Sequence, residues 1–230
     1  MEKSFKDSLA SLGITLNSKQ LKDFERYYQS LITWNKKVNL TSITEKNEIY
    51  SKHFVDSLWL SKVTKLNNQK ILDVGSGAGF PSIPLKIVYP NLEITIIDSL
   101  NKRISFLKNL ADELSITVEL IHGRIEDFKR KDYYDIVTAR AVASLDILSE
   151  FCLPFTRIGG LFLPMKGSSV KKELEASYEV IKFMGGDIDQ IYNYSYDDYT
   201  RAIPVITKSR STPKGYPRSL SRIKKQPVKL

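Results

Sequence analysis

From residue 70 onward, short runs of β-branched and apolar residues alternate with stretches of helical periodicity, and this alternation constrains the fold more than any other feature. The predicted strands cover 70–74, 93–98, 117–122, 135–139 and 161–165, with two later candidates at 188–194 and 203–207. The predicted helices between them cover 82–89, 101–115, 144–153 and 169–184. Strands separated by helices favour a doubly wound, mostly parallel α/β sheet with right-handed crossovers. Such Rossmann-like sheets bind ligands at the carboxyl ends of their strands.

Residues 1–67 show a different, purely helical periodicity. One apolar stripe recurs at spacings of three, four and seven residues and consists of Leu21, Phe24, Tyr28, Leu31 and Val38. This spacing places the side chains on one face of a helix, and Asn17 or Ser18 is suited to cap its start. We therefore expect a helical extension over 1–67 packed on a core domain over 68–210, with a basic C-terminal segment over 211–230.

A glycine-rich loop follows the first predicted strand and reads Asp73-Val74-Gly75-Ser76-Gly77-Ala78-Gly79-Phe80. Glycines there let the chain turn tightly and bring its backbone close to a ligand. A dinucleotide fingerprint would place its third glycine at position 80, and Asp73 would repel a pyrophosphate but suits a ligand with a positive amino group. Asp98 ends the second predicted strand, 23 residues after Gly75, where a carboxylate can accept both ribose hydroxyls.

An acid, a loop of three glycines and a second acid in this order resemble the S-adenosylmethionine pocket of class I methyltransferases. Two other interpretations remain open: a turn that only reverses the chain, and a nicotinamide-dependent oxidoreductase. After the third predicted strand, Ile125 and Glu126 offer an amide and an acid for an adenine edge, although acids also favour a helix N-terminus by themselves. After the fourth, Arg140 is expected to face the ligand, the alternative being a surface ion pair.

Positive charge is concentrated at the C-terminal end. The net charge is +9, and residues 201–230 hold nine Lys and Arg with no Asp or Glu, so the remaining 200 residues are balanced. A neutral body with a basic end favours contact with a polyanion such as nucleic acid over a solvated tail. The candidates for RNA contact are Lys214, Tyr216, Arg218, Arg222, Lys224 and Lys225.

Composition disfavours several other classes of protein. A single Cys152 forms no internal disulfide and fits a reducing compartment, and two His with one Cys build no local zinc cluster. The longest uncharged run covers 12 residues, 74–85, whereas a membrane-spanning helix needs about 20. The first residues also lack the apolar core of a signal peptide. We expect a cytoplasmic protein without metal or membrane contact.

Several short motifs occur in a fixed order along nearly the whole chain. They are Trp34-Asn35-Lys36-Lys37-Val38-Asn39-Leu40-Thr41, His53-Phe54-Val55-Asp56-Ser57-Leu58, residues 73–85, Asp98-Ser99-Leu100-Asn101-Lys102-Arg103, Thr138-Ala139-Arg140-Ala141, Lys166-Gly167, Thr212-Pro213, Tyr216-Pro217-Arg218 and Lys225-Gln226-Pro227. Together they resemble the bacterial small-subunit ribosomal RNA methyltransferase G family, also called glucose-inhibited division protein B. Two departures are Ser82, where the family usually has Gly, and residues 219–224, which replace a stretch containing Lys and Gly.

The resemblance implies methyl transfer from S-adenosylmethionine to N(7) of a guanosine in 16S ribosomal RNA, within a small ribosomal subunit or its precursor. It implies cofactor contacts at Gly75, Phe80, Ile125, Glu126 and Arg140. The general methyltransferase pattern adds Gly77, Gly79 and Asp98, and the charge argument above adds Asp73. The alternative is S-adenosylmethionine-dependent methylation of a small molecule or a protein.

Guanine N(7) carries a lone pair and no proton, so its attack needs positioning and desolvation but no general base. Arg and Lys read the N(7)/O6 edge of guanine well. Arg140 and Lys166 end adjacent predicted strands and are therefore the candidate catalytic residues, expected to hold O6 or a phosphate. An exposed base also needs a stacking partner; Phe80 or Tyr216 is a candidate, with Phe80 favoured for cofactor packing.

Overall fold

A computed structural model describes residues 2–196 and 199–228. The described chain has an α/β fold, in which helices flank a β-sheet of parallel and antiparallel strands. Its strands are β1 (Lys70–Val74), β2 (Glu93–Asp98), β3 (Glu119–His122), β4 (Tyr134–Arg140), β5 (Thr156–Gly167), β6 (Gly186–Tyr196) and β7 (Tyr199–Lys208). They follow the order β3–β2–β1–β4–β5–β7–β6. The pairs β2/β3, β1/β4 and β4/β5 are parallel, whereas β7 pairs antiparallel with β5 and β6. The predicted mostly parallel, doubly wound sheet is confirmed.

Between residue 2 and β1, which begins at Lys70, the chain forms helices and loops; from Lys70 onward, helices and strands alternate along most of the chain. The α-helices are α1 (Glu2–Ser11), α2 (Ser18–Val38), α3 (Lys46–Ile49), α4 (Asp56–Leu58), α5 (Leu60–Val63), α6 (Ser82–Val88), α7 (Asn101–Leu114), α8 (Leu145–Cys152), α9 (Val170–Phe183) and α10 (Leu220–Lys225). A π-helix covers Tyr50–Val55, and 3₁₀ turns cover Ile125–Asp127 and Leu153–Phe155. No helix of the described residues is long and apolar enough to cross a membrane.

The chain divides into two compact units, of which the first comprises residues up to Asn68 and the segment Ser76–His122. Asn17 caps α2 in a reciprocal arrangement with Gln20, each side chain accepting from the other's backbone N–H at 2.9 Å. Phe24, Tyr27 and Leu31 are fully buried, and α2 packs on α6 and α7. Burying one such side chain stabilises the fold by about 1.5–3 kcal/mol, so the N-terminal helices share a core with α6 and α7.

The second unit comprises Gln69–Gly75 and the chain from Gly123. It holds β1, β4 and β5 as neighbouring parallel strands, extended by β7 and β6, with α8 and α9 packed on each other. Because these parallel strands run in one direction, the residues that follow β1, β4 and β5 leave the sheet at the same edge. Asp73, Arg140 and Lys166 lie at or near these strand ends.

Two details differ from the sequence predictions. The buried stripe of α2 contains Tyr27, which is fully buried, where the spacing pointed to Tyr28. Strand β5 begins at Thr156 and not at residue 161, so the Gly159-Gly160 pair lies inside the strand and not in a turn before it. A Cβ atom at Gly160 would lie 2.8 Å from the carbonyl oxygen of Asp135, which shows that β5 approaches β4 too closely there for a side chain.

Candidate functional site

In the first unit, Asp98 ends β2 and is held by donors on both oxygens. Its side chain is almost fully buried. The backbone N–H of Gly77 donates to Oδ2 at 3.1 Å, that of Leu100 donates to Oδ1 at 2.9 Å, and the Arg103 guanidinium lies 3.4 Å from Oδ2. These contacts fix the carboxylate at the carboxyl end of its strand, with the glycine loop beside it.

Gly77 and Gly79 serve this loop in different ways. Both have positive φ angles, of 62° and 97°, which side-chain-bearing residues rarely adopt. A Cβ atom at Gly79 would lie 2.6 Å from Ile83 and 2.9 Å from Leu107, whereas one at Gly77 would meet nothing within 4 Å. Packing therefore requires glycine at position 79, while Gly77 faces open space next to Asp98.

Phe80 lies in the aromatic core of the first unit. The ring is 4% exposed and stacks on Tyr27 at 5.4 Å and on His53 at 4.5 Å between centroids. His53 is itself fixed, since its Nε2 is 2.8 Å from Thr41 Oγ1 and its Nδ1 is 3.1 Å from the Lys52 carbonyl. This burial favours a packing role for Phe80 over stacking on a substrate base, and it places His53 behind the loop.

In the second unit, the chain after β1 meets the chain after β4. Asp73 is fully buried near the end of β1 and is paired in register with Thr138. Gly75 has a φ of 71°, and a Cβ atom there would lie 2.8 Å from Cγ2 of Val142. Glycine at position 75 is thus favoured both by its backbone conformation and by the close approach of Val142, and its contact with the cofactor stays a prediction.

Arg140 ends β4 directly before a strained residue. Ala141 has a φ of 56°, a left-handed conformation that costs about 1–2 kcal/mol for a residue with a side chain. Val142, the next residue, is 40% exposed although it is apolar. Non-glycine residues in this region persist where the surroundings hold them, so the contacts of the following residues decide the shape of this loop.

Lys166 supplies such a contact. It follows the β5 residue that pairs with Arg140, and its Nζ donates to the Ala143 carbonyl at 2.8 Å. The ammonium also pairs with Glu173 of α9 at 2.7 Å, with only 9% of the lysine side chain exposed. Glu173 in turn accepts from the Leu145 backbone N–H at 3.2 Å, at the start of α8. Sequence reasoning had proposed Lys166 and missed Glu173, because a glutamate in the first turn of a helix carries no distinctive signal.

The loop after β3 forms the short 3₁₀ turn that contains Ile125 and Glu126. Ile125 is 6% exposed, and the Glu126 side chain, 12% exposed, lies 3.7 Å from the Arg124 guanidinium. The backbone of the turn is closed by a bond from Asp127 N–H to the Arg124 carbonyl at 3.1 Å. Ordered backbone and a mostly buried carboxylate are compatible with the predicted contacts to an adenine ring.

The basic C-terminal segment is docked on the second unit. The Arg218 guanidinium forms a two-bond fork with Glu150 of α8, at 2.8 and 2.7 Å, and this hydrogen bonding raises the pKa of Arg218 above its ordinary value. Tyr216 packs edge-on against Phe183, with the Arg218 guanidinium 5.1 Å from its ring centroid. Four other RNA-contact candidates are exposed: Lys214, Arg222, Lys224 and Lys225.

Two further features concern chemistry that the sequence disfavoured. Among residues 2–196 and 199–228, no group of three His, Cys, Asp or Glu side chains is arranged to hold a metal ion. Cys152 is fully buried, and burial raises the pKa of its thiol well above the ordinary value. A thiol in that setting is a poor nucleophile.

Comparison with known proteins identifies close relatives. A family model described as rRNA small subunit methyltransferase G matches residues 20–197. The chain is 47% identical over 232 residues to the ribosomal RNA small subunit methyltransferase G of Bacillus subtilis and 46% identical to that of Bacillus cereus, with 97% of each chain covered in both comparisons.

Solved structures show the same fold at low identity. A methyltransferase from Pyrococcus furiosus superposes with a TM-score of 0.60 at 11% identity, covering 81% of this chain and 98% of that one. A SAM-dependent methyltransferase from Aquifex aeolicus superposes with a TM-score of 0.53 at 15% identity, covering 71% and 94%.

Proposed function

We propose a reaction for this chain from one premise: the chain belongs to the rRNA small subunit methyltransferase G family. It is accordingly an S-adenosylmethionine-dependent methyltransferase of small-subunit ribosomal RNA, and the acceptor atom that we propose is N(7) of a guanosine. The names of its relatives do not favour the alternative of a small-molecule or protein substrate. The family match is the single observation that carries this conclusion.

The geometry of the first unit supports the proposed cofactor contacts. Asp98 has its two oxygens oriented by backbone donors from Gly77 and Leu100, which leaves lone pairs suited to two ribose hydroxyls. The open space at Gly77 allows close approach of a ligand to the backbone. Asp73, Gly75, Ile125, Glu126 and Arg140 remain proposed contacts, while the packing of Gly79 and Phe80 supports an indirect role for both.

The chemistry requires positioning above all. S-adenosylmethionine supplies a methyl group that is already activated by its sulfonium. Guanine N(7) has no proton to lose, so the chain has to hold the base in line and exclude water; good alignment is worth up to about 7–11 kcal/mol. The end of β4 and the residues that follow it, 138–144, agree with this, since they contain Arg140 but no His, Asp or Glu.

Arg140 and Lys166 divide the work in this proposal. An arginine can donate to O6 of guanine, and we assign that role to Arg140 at the carboxyl end of β4. The Lys166 ammonium is engaged by the Ala143 carbonyl and by Glu173, which supports a positioning role on the loop that follows Arg140. Lys166 is thus proposed to act through the loop and not on the substrate.

The RNA partner is proposed to be a small ribosomal subunit or its precursor, a setting that supports a cytoplasmic place of action. Exposed cations at Lys214, Arg222, Lys224 and Lys225 are the proposed phosphate contacts. Arg218 is left out of this set, because its guanidinium is used by Glu150.

The test is methyl transfer in vitro with radiolabelled S-adenosylmethionine. Small ribosomal subunits, naked 16S RNA and ribosomal protein are offered separately, and label is expected in the RNA. Asp98→Asn removes the carboxylate charge and should weaken cofactor binding, whereas Asp112→Asn changes an exposed acid of α7 and should not. Label in protein, or no label in any RNA sample, would refute the proposed function.

A further inference from the structure

We propose that the buried ion pair between Glu150 and Arg218 holds α10 as a preformed surface for the phosphate backbone of the RNA substrate, with both residues acting as positioning residues. This inference rests on the proposed function, since it names how that substrate is engaged. In a general basic tail the cations have no fixed position, whereas here a single buried carboxylate determines where the cations lie.

The pair has one well-defined geometry. Glu150 is fully buried in the second unit, and the Arg218 side chain is 10% exposed. Besides the two guanidinium bonds, the backbone N–H of Arg218 donates to Glu150 Oε1 at 2.9 Å. A buried carboxylate is costly unless charge and hydrogen bonds compensate it, and here one residue provides three donors. The chain at Arg218 is therefore fixed on α8.

Arg218 also reaches across α10. Its Nη1 donates to the carbonyl of Gln226 at 2.8 Å. Ser219 and Gln226 are the residues that flank α10 at its start and end, so Arg218 lies just before the helix and its guanidinium binds the residue just after it. Ile223 adds an anchor at 4% exposure. The helix is held by the bonds of Arg218 to Glu150 before it, by the bond of Arg218 to Gln226 after it, and by the buried Ile223 within it. Its orientation therefore depends on the pair with Glu150.

The cations that this arrangement presents are suited to a phosphate backbone. Arg222, Lys224 and Lys225 are exposed on α10, in a segment without any acidic residue. Ordering a flexible backbone costs conformational entropy, and a helix that is already docked does not lose this entropy when RNA binds. Charges on a docked helix are therefore expected to bind phosphates more tightly than the same charges on a flexible tail.

The decisive variant replaces both partners, as Glu150→Met with Arg218→Met. Apolar replacement of a buried ion pair is often neutral or stabilising, so the melting temperature and the affinity for S-adenosylmethionine should stay at the parent values. RNA affinity should fall by about tenfold, with a flatter salt dependence, as contacts with phosphates are lost. In turnover, KM for RNA should rise while kcat at saturating RNA is retained.

Two single variants separate position from charge. Arg218→Lys keeps the charge but loses the planar fork; it should lower RNA affinity if position matters and preserve it if Arg218 binds phosphate directly. Lys214→Gln removes one charge of the same segment without touching the pair, and should change the salt slope by about 0.7 only.

The inference is overturned if the double variant is folded and binds RNA with the parent affinity and salt slope. Should the double variant melt early, Arg218→Lys decides alone, and parent-like RNA affinity in it refutes the inference. If the parent protein methylates no ribosomal RNA, the proposed function fails; if the parent does and the variants match it, only this inference fails.

Discussion

Replacing Gly77 with Ala should weaken cofactor binding strongly while the protein stays folded. The added Cβ atom meets no protein atom within 4 Å, so any loss of binding arises from the space that the ligand needs. At a φ of 62° the side chain costs about 1–2 kcal/mol of folding free energy. Placing a methyl group where the ligand contacts the backbone costs about 1–3 kcal/mol of binding free energy, which corresponds to a loss of affinity of about fivefold to 150-fold.

Gly13 provides a matched control in the same unit. It has a φ of 72°, and a Cβ atom there also meets nothing within 4 Å, so Gly13→Ala carries the same backbone strain without a proposed ligand contact. Titration calorimetry with S-adenosylmethionine should show weaker binding for Gly77→Ala alone, while denaturant unfolding shows equal destabilisation of both. Equal affinities in the two variants would refute the assignment of the cofactor to this loop. Gly75 is a poorer probe, because its Cβ would collide with Val142.

Three other outcomes are expected. Single-turnover methylation should be nearly flat between about pH 6.5 and 9, and a log-linear rise of slope one would reveal a general base. Burial lowers the pKa of Lys208 from 10.5 to about 8, so between these pH values the unfolded chain holds a proton that the folded chain has lost, and raising the pH favours folding. In denaturant unfolding, the stability of the parent relative to Lys208→Met should therefore rise by about 2 kcal/mol from about pH 7.5 to 9.5. A stability difference that stays constant over this range would contradict the lowered pKa. Gln at Lys214, Arg222, Lys224 and Lys225 should flatten the salt slope of RNA binding by at most about 3, and an unchanged slope would move the RNA contact elsewhere.

The order of strands and helices could be predicted from the sequence because the local residue patterns agree with the tertiary structure from residue 70 onward. The predicted runs of β-branched and apolar residues form strands, of which β1, β2 and β4 are mostly buried, and Asn17 caps α2. The bounds of β5 were not readable, because the Gly159-Gly160 pair looks like a turn until the approach of β4 is known. A glycine in sequence does not reveal whether a turn, a neighbouring strand or a ligand requires it.

For the candidate site, the place of single residues could be predicted from the sequence, whereas their partners could not. Asp98 ends β2 as predicted and accepts a bond from the Gly77 backbone, while its contact with ribose stays a prediction. The partnerships of Lys166 with Glu173 and of Arg218 with Glu150 join residues that are distant in sequence. Nothing local marks Glu173 or Glu150 as a partner, so the sequence suggested substrate contacts for Lys166, from its place at a strand end, and for Arg218, from the basic segment, without showing that each is paired with a glutamate.

The most direct test of the central claim maps 7-methylguanosine in small-subunit ribosomal RNA. RNA from cells with and without the gene is reduced with borohydride and cleaved with aniline, which breaks the chain at N(7)-methylated guanosine, and mass analysis identifies the modified base. We predict one cleavage site that is present in RNA from cells with the gene and absent in RNA from cells without it. The site should return when purified protein and S-adenosylmethionine are added to the unmodified subunits. The same cleavage pattern with and without the gene, or a restored methyl group on any atom other than N(7), would contradict the account.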